Sequence, residues 1–207
     1  LDPALVTREV TERLDYVRER LTSGAHVLEG DAPADAALVA RLAVPSPFPP
    51  LGTELRVTTS RIPLRCGPTS RAFYNTPVDP AFDRNACSTL ERQEVVQVLA
   101  RWPGEPAMLL VRSRYALGWV AADAPLSPPL PGEGPHRDAW ISGRRARSLT
   151  STTVRPDATA LDSIAPEPLE LDGDVLLPLD PSDDTRVLFA TAEGIFRSEP
   201  LAAGVLE

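Results

Sequence analysis

Lysine is missing from this chain altogether. All 21 of its basic residues are arginine, the pattern of GC-rich coding, and they face 29 acidic ones for a net charge of −8 over 207 residues. That balance argues against nucleic acid and anionic membrane as partners, because either needs a concentrated basic face. The densest basic cluster, Arg144, Arg145 and Arg147, is too small to make one. Long apolar runs are lacking too, so no transmembrane segment is expected. Two separated cysteines and two isolated histidines do not make a metal-ligand set. The acidic residues Asp172, Asp174, Asp180, Asp183 and Asp184 lack the alternation and closing glutamate of a calcium loop and read as turn chemistry. There is no glycine-rich phosphate loop and no serine-hydrolase motif, so no cofactor is expected.

Proline is abundant instead. Its 23 residues are about twice the usual share and suit short strands joined by rigid turns. The length holds one large or two small domains. The chain begins at Leu1 without methionine or an apolar leader, as expected either of a trimmed piece or of a mature form that has lost a signal or lipoprotein anchor.

The first segment reads as a helix. Asp2 caps it, Pro3 suits its first position, and Gly24 stops it. Leu5, Val6, Val10, Leu14, Val17 and Leu21 form an apolar stripe at helical spacing. A shorter helix is expected over roughly residues 34–42, ending at Pro45. Residues 45–50, rich in proline, form a stiff connector. Strands are expected at Leu55–Thr59, Gln93–Leu99, Ala107–Val111 and Tyr115–Val120, with Gly118 marking a close backbone approach. A second connector, residues 124–135, holds five prolines in twelve residues. Beyond it, strands are expected at Ala139–Ser142, Ser148–Val154, Gly173–Leu179, Thr185–Ala190 and Gly194–Arg197. The expected class is therefore mainly β with an N-terminal helical segment and two small barrels. The domain boundaries are 1–50 (helical segment and connector), 51–124 (first barrel), 125–138 (linker) and 139–207 (second barrel).

Cys66 and Cys87 bracket the long loop between the first two strands. They read most simply as a disulfide, with two buried thiols as the alternative. Closing a loop of about 22 residues stabilises a fold by roughly 3 kcal/mol in the chain-entropy model. Inside the loop, Phe73, Tyr74 and Asn75, and then Phe82, Asp83 and Arg84, place aromatic and hydrogen-bonding groups where binding residues tend to sit. Tyr115 and Trp119 follow on a strand. Trp119 and Phe82 read better as core residues than as ligand contacts, Asp83–Arg84 has a loop-bracing reading beside the binding one, and Tyr74 stands about evenly between the two.

The residues Arg61-Ile-Pro-Leu-Arg65, Pro68-Thr69, Phe82-Asp83-Arg84, Tyr115 through Val120 and Asp123 carry a resemblance. This segment is similar to the first bacterial SH3 domain of secreted NlpC-type γ-D-glutamyl-diamino acid endopeptidases, which cut peptidoglycan stem peptides. The tail from Gly173 to Leu206 is similar, more loosely, to their second SH3-like domain. The resemblance implies two SH3-like barrels and a loop that shapes a substrate cleft, with Tyr74, Asp83, Arg84, Tyr115 and Trp119 as the ligand-facing positions. In that family a catalytic cysteine domain follows, and this chain ends about where it would begin. Cys87-Ser88 does not reproduce the family's Asp-Cys-Ser-Gly motif: Ala86 replaces the acid and Thr89 the glycine. His136, its first candidate partner, lies in a Pro/Gly connector, and His26, in a helix-exit loop, is a weaker one. Three readings result. The first is a non-catalytic, extracytoplasmic module that binds peptidoglycan peptide. The second is a module binding or regulating a cell-envelope protein. The third is a divergent cysteine peptidase using Cys87. Oligomeric state is not indicated.

Overall fold

The computed structural model describes residues 2–104, 106–148, 151–157 and 166–201. The chain is mainly β with an N-terminal helix, and its strands form several antiparallel sheets. No closed barrel is found among the described residues. Two compact units interleave in sequence. One contains Leu1–Thr53, Ile62–Leu90 and Gln97–Ala124; the other contains Glu54–Arg61, Glu91–Val96 and Pro125–Glu207. Expectations for residues 149–150 and 202–207 lie outside the described residues.

In the first unit, helix α1 (Pro3–Thr22) starts where Asp2 accepts the Ala4 N–H at 2.9 Å and ends just before Gly24, whose φ of +76° few other residues adopt. Val6, Val10, Leu14, Val17 and Leu21 are buried as a stripe. Burying such a side chain stabilises by about 1.5–3 kcal/mol. Leu5, expected in that stripe, is instead 52% exposed, because it is turned about 100° from its neighbour Val6. Helix α2 (Ala36–Arg41) is capped by Asp35, which accepts the Leu38 N–H at 2.7 Å.

The sheet of this unit runs in the order β6 (Val95–Trp102), β7 (Met108–Arg112), β8 (Leu117–Ala121), β3 (Ile62–Arg65) and β5 (Ala86–Leu90). Strand β6 begins in the other unit and enters this one at Gln97. A Cβ on Gly118 would lie 2.5 Å from the Arg65 carbonyl oxygen, so β3 reaches β8 only because residue 118 is glycine. The core joins α1 to Phe73, Leu99, Trp102, Leu110 and Trp119. Trp102 meets Trp119 edge-on with ring centroids 5.5 Å apart, and Phe48 meets Trp102 at 5.9 Å. The proline-rich 45–50 stretch therefore contributes a core side chain. A small antiparallel pair, β1 (His26–Val27) with β4 (Tyr74–Asn75), ties the exit of α1 to the long loop.

In the second unit, β2 (Glu54–Val57) is flanked by the proline-rich segment after residue 124. Ser127 and Leu130 keep their amide hydrogens and donate to the Val57 and Leu55 carbonyls, each at 2.8 Å. Helix α3 (Pro135–Ser142) occupies residues expected to be connector and strand, so the expected strand at Ala139–Ser142 is corrected. Pro135 at the first helical position and buried Ala139 and Trp140 favour a helix there. A four-stranded sheet follows in the order β14 (Ile195–Arg197), β13 (Asp183–Ala190), β12 (Leu176–Asp180) and β9 (Arg145–Arg147). Beside it, β10 (Thr152–Val154) pairs with β11 (Leu169–Leu171). Gln93, buried and at φ +64°, inserts its amide into β13. Its Nε2 donates to the Ala190 carbonyl at 2.9 Å and its Oε1 accepts the Ala190 N–H at 2.7 Å. Asp157 accepts from Arg186 at 2.6 Å and Arg197 at 2.9 Å, which pairs this buried carboxylate.

Candidate functional site

The loop from Cys66 to Cys87 is fastened at several points. The two cysteines form a disulfide with Cα atoms 4.9 Å apart. Asn85, fully buried, accepts the Gly67 N–H at 2.8 Å through Oδ1 and donates through Nδ2 to the Thr69 and Arg71 carbonyls at 2.8 and 2.7 Å. Its own carbonyl accepts the Cys66 N–H at 2.8 Å. Asp83 accepts from Arg65 at 2.6 Å and from the Phe73 and Asn85 amides at 3.1 and 2.8 Å. Phe73 has no exposed surface and anchors the loop in the core.

Beyond that anchor the loop forms β4, and its pairing with β1 places Asn75 opposite His26. Asn75 satisfies both of its neighbours when its amide nitrogen faces His26 Nδ1, 3.1 Å away, and its oxygen accepts from Arg84 Nη2 and Nε at 2.7 and 3.2 Å. The Arg84 amide donates to the Phe73 carbonyl at 2.7 Å, which fixes its backbone beside β4. The α1 side of the cluster comes from Tyr16, edge-on to the His26 ring at 6.3 Å, and from Arg20, whose guanidinium lies 6.0 Å from the Tyr16 ring centroid. Burial, reinforced by Arg20 and then Arg84, holds the His26 imidazole below its ordinary pKa, although the Ala25 carbonyl pulls the other way. The ring is therefore neutral near pH 7.

The residues expected at a site divide clearly. Arg84 is exposed and Tyr74 half-buried on adjoining backbone. Tyr74 points to the opposite side of β4 from Asn75, as successive strand residues do. Asp83 braces the loop. Trp119 has no exposed surface and is the core residue its position allowed. Tyr115, 63% exposed, sits on the turn between β7 and β8. Phe82, read as core, is 60% exposed: its amide closes a turn onto the Asp79 carbonyl at 3.0 Å, which turns it away from the interior. His26, Arg20 and Tyr16 carried no such expectation, because nothing local in sequence joins them to the loop. Asn75 was visible only as a polar neighbour of Tyr74.

Cys87 in a disulfide offers no thiolate, and no free cysteine is found among the described residues. The cysteine-peptidase reading loses its nucleophile. Among the described residues no group of three or more His, Cys, Asp or Glu side chains could hold a metal ion, and no helix is long and apolar enough to cross a membrane.

No protein-family model matches the chain, and no curated protein matches it. Among solved structures it is similar to NlpC1 from Trichomonas vaginalis, with 14% sequence identity and a TM-score of 0.23 over 80% of this chain and 48% of that one. The chain thus spans about half the length of that protein. A TM-score of 0.23 carries no argument about fold or activity, and the site stands on its own geometry.

Proposed function

We propose that this protein is a non-catalytic, extracytoplasmic recognition module of SH3-like design that binds peptidoglycan stem peptides along the rim of its 66–87 loop. The observation that carries this reading is the exposed Arg84 guanidinium, oriented by Asn75 on a loop fastened by a disulfide, Asn85 and Asp83. A charged group held before its ligand arrives loses little entropy on binding. Guanidinium is also the side chain best shaped for the carboxylates of a stem peptide. The disulfide supports maturation outside the reducing cytoplasm.

Sedimentation with purified sacculi tests the reading. The protein is expected to pellet with them, and Arg84→Gln to weaken binding about tenfold, the size of one lost charged hydrogen bond. No pelleting of the folded, oxidised protein sinks it. Exposed Phe82 and Tyr115 favour a second reading, docking on a cell-envelope protein, which gains ground if sacculi fail and cross-linking in the envelope captures a partner through those aromatics.

A further inference from the structure

Arg20 and Arg84 differ from Arg13, Arg18 and Arg65 of the same unit, each of which pairs with a carboxylate. Neither Arg20 nor Arg84 has a carboxylate partner among the described residues. Arg20 keeps a buried Nε with no hydrogen-bond partner. Arg84 gives Nε and Nη2 to Asn75, which leaves its Nη1 edge for something else. Both guanidiniums bear on the His26 imidazole, and neither forms an ion pair with an acidic side chain among the described residues, in a chain whose net charge is −8.

We propose that Arg84, oriented by Asn75 and supported by Arg20, binds a free carboxylate of the ligand, and that His26 takes up a proton as it does so. The inference rests on the peptide-binding reading above and names the chemical group that reading requires. The groups facing His26 are Tyr16 and Arg20 from α1, Asn75 from β4, Arg84 from the loop, and the Ala25 carbonyl beside it. In the empty site His26 Nδ1 accepts from Asn75, and the two guanidiniums disfavour a second charge. A bound carboxylate offsets that repulsion. Protonation turns Nδ1 into a donor that the Ala25 carbonyl at 3.2 Å can receive, so the Asn75 amide nitrogen must give up its contact with Nδ1 while the Asn75 oxygen stays with Arg84. By linkage, affinity rises as pH falls through the range where bound and free sites differ in protonation.

The test is an NMR titration of the full chain that follows the His26 ring, with His136→Gln to assign the two histidines. The probes are glutarate and its uncharged analogue glutaramide, at constant ionic strength. Glutarate is expected to raise the His26 midpoint by about one pH unit, the size an opposite charge within 4–6 Å produces, and glutaramide to leave it in place. Arg84→Gln weakens the glutarate response about tenfold, and Arg84→Lys, which keeps the charge without the fork, restores part of it. A His26 midpoint unmoved by saturating glutarate overturns the inference, as does an equal response to glutaramide or in Arg84→Gln. Sacculus pelleting with an unmoved His26 leaves the peptide-binding reading intact and removes this site. Glutarate binding without pelleting does the reverse.

Discussion

Asn85 holds more of the loop than its size indicates, since one small amide satisfies one backbone donor and two backbone acceptors in a buried position. Asn85→Ala strands those groups and is expected to destabilise the protein by about 2–4 kcal/mol. A lower urea midpoint at unchanged slope checks this. Asn85→Asp is expected to be nearly as harmful, because a carboxylate cannot donate to the Thr69 and Arg71 carbonyls. His26 makes a separate prediction at the same scale. Its folded pKa lies below the unfolded value of about 6.5, so its contribution to stability is full above that pH and is lost as pH falls toward the folded pKa. A urea midpoint followed downward from pH 7 should therefore decline in wild type, and His26→Gln should remove that part of the decline.

At the scale of elements, α1 and β8 were legible because their signals are local. A cap, a proline at the first turn and an apolar residue every three or four positions specify a helix whatever surrounds it. Leu14→Ala on its buried face is expected to cost about 2–5 kcal/mol by thermal or urea unfolding. Gly118→Ala is expected to be worse than its single methyl implies, because the clash is with the Arg65 backbone and the Leu64 side chain, at 2.5 and 2.8 Å. Soluble yield and unfolding midpoint would both fall; a midpoint equal to wild type would mean β3 can retreat from β8. Helix α3 was less legible: Pro135 was read as a connector residue when it starts a helix, and Ala139 to Ser142 is too short to show which period it follows. Reducing the Cys66–Cys87 bridge is expected to lower stability by roughly 3 kcal/mol, seen as a lower melting temperature in reductant.

For the molecule as a whole, acid should act in a second step below the His26 range. The Leu38 amide holds Asp35, and the Thr185 hydroxyl holds Asp183, below the usual carboxylate range; Thr191 does the same for Glu193. At Asp180 burial opposes ionisation, but hydrogen bonds from the Ser182 hydroxyl and amide, and then the charges of Arg197 and His136, outweigh it. Groups with depressed folded values stabilise above about pH 4 and lose that contribution as pH falls through those values. Acid unfolding should therefore begin near pH 4 and deepen below it.

By itself the sequence determined the β-rich class, the N-terminal helix and its stop, the two bracketing cysteines and the lack of an apolar run long enough for a membrane-spanning helix. Each of these depends on composition or on residues close together in the chain. Only the tertiary structure decided that Glu54–Arg61 and Glu91–Val96 group with the C-terminal unit, that Trp119 is interior while Phe82 is exposed, and that His26 meets Asn75 and Arg84. The reason is range. Strand pairing and core packing join residues that share no local pattern, so the partners of a side chain are set by register and burial, and neither is written at any one position.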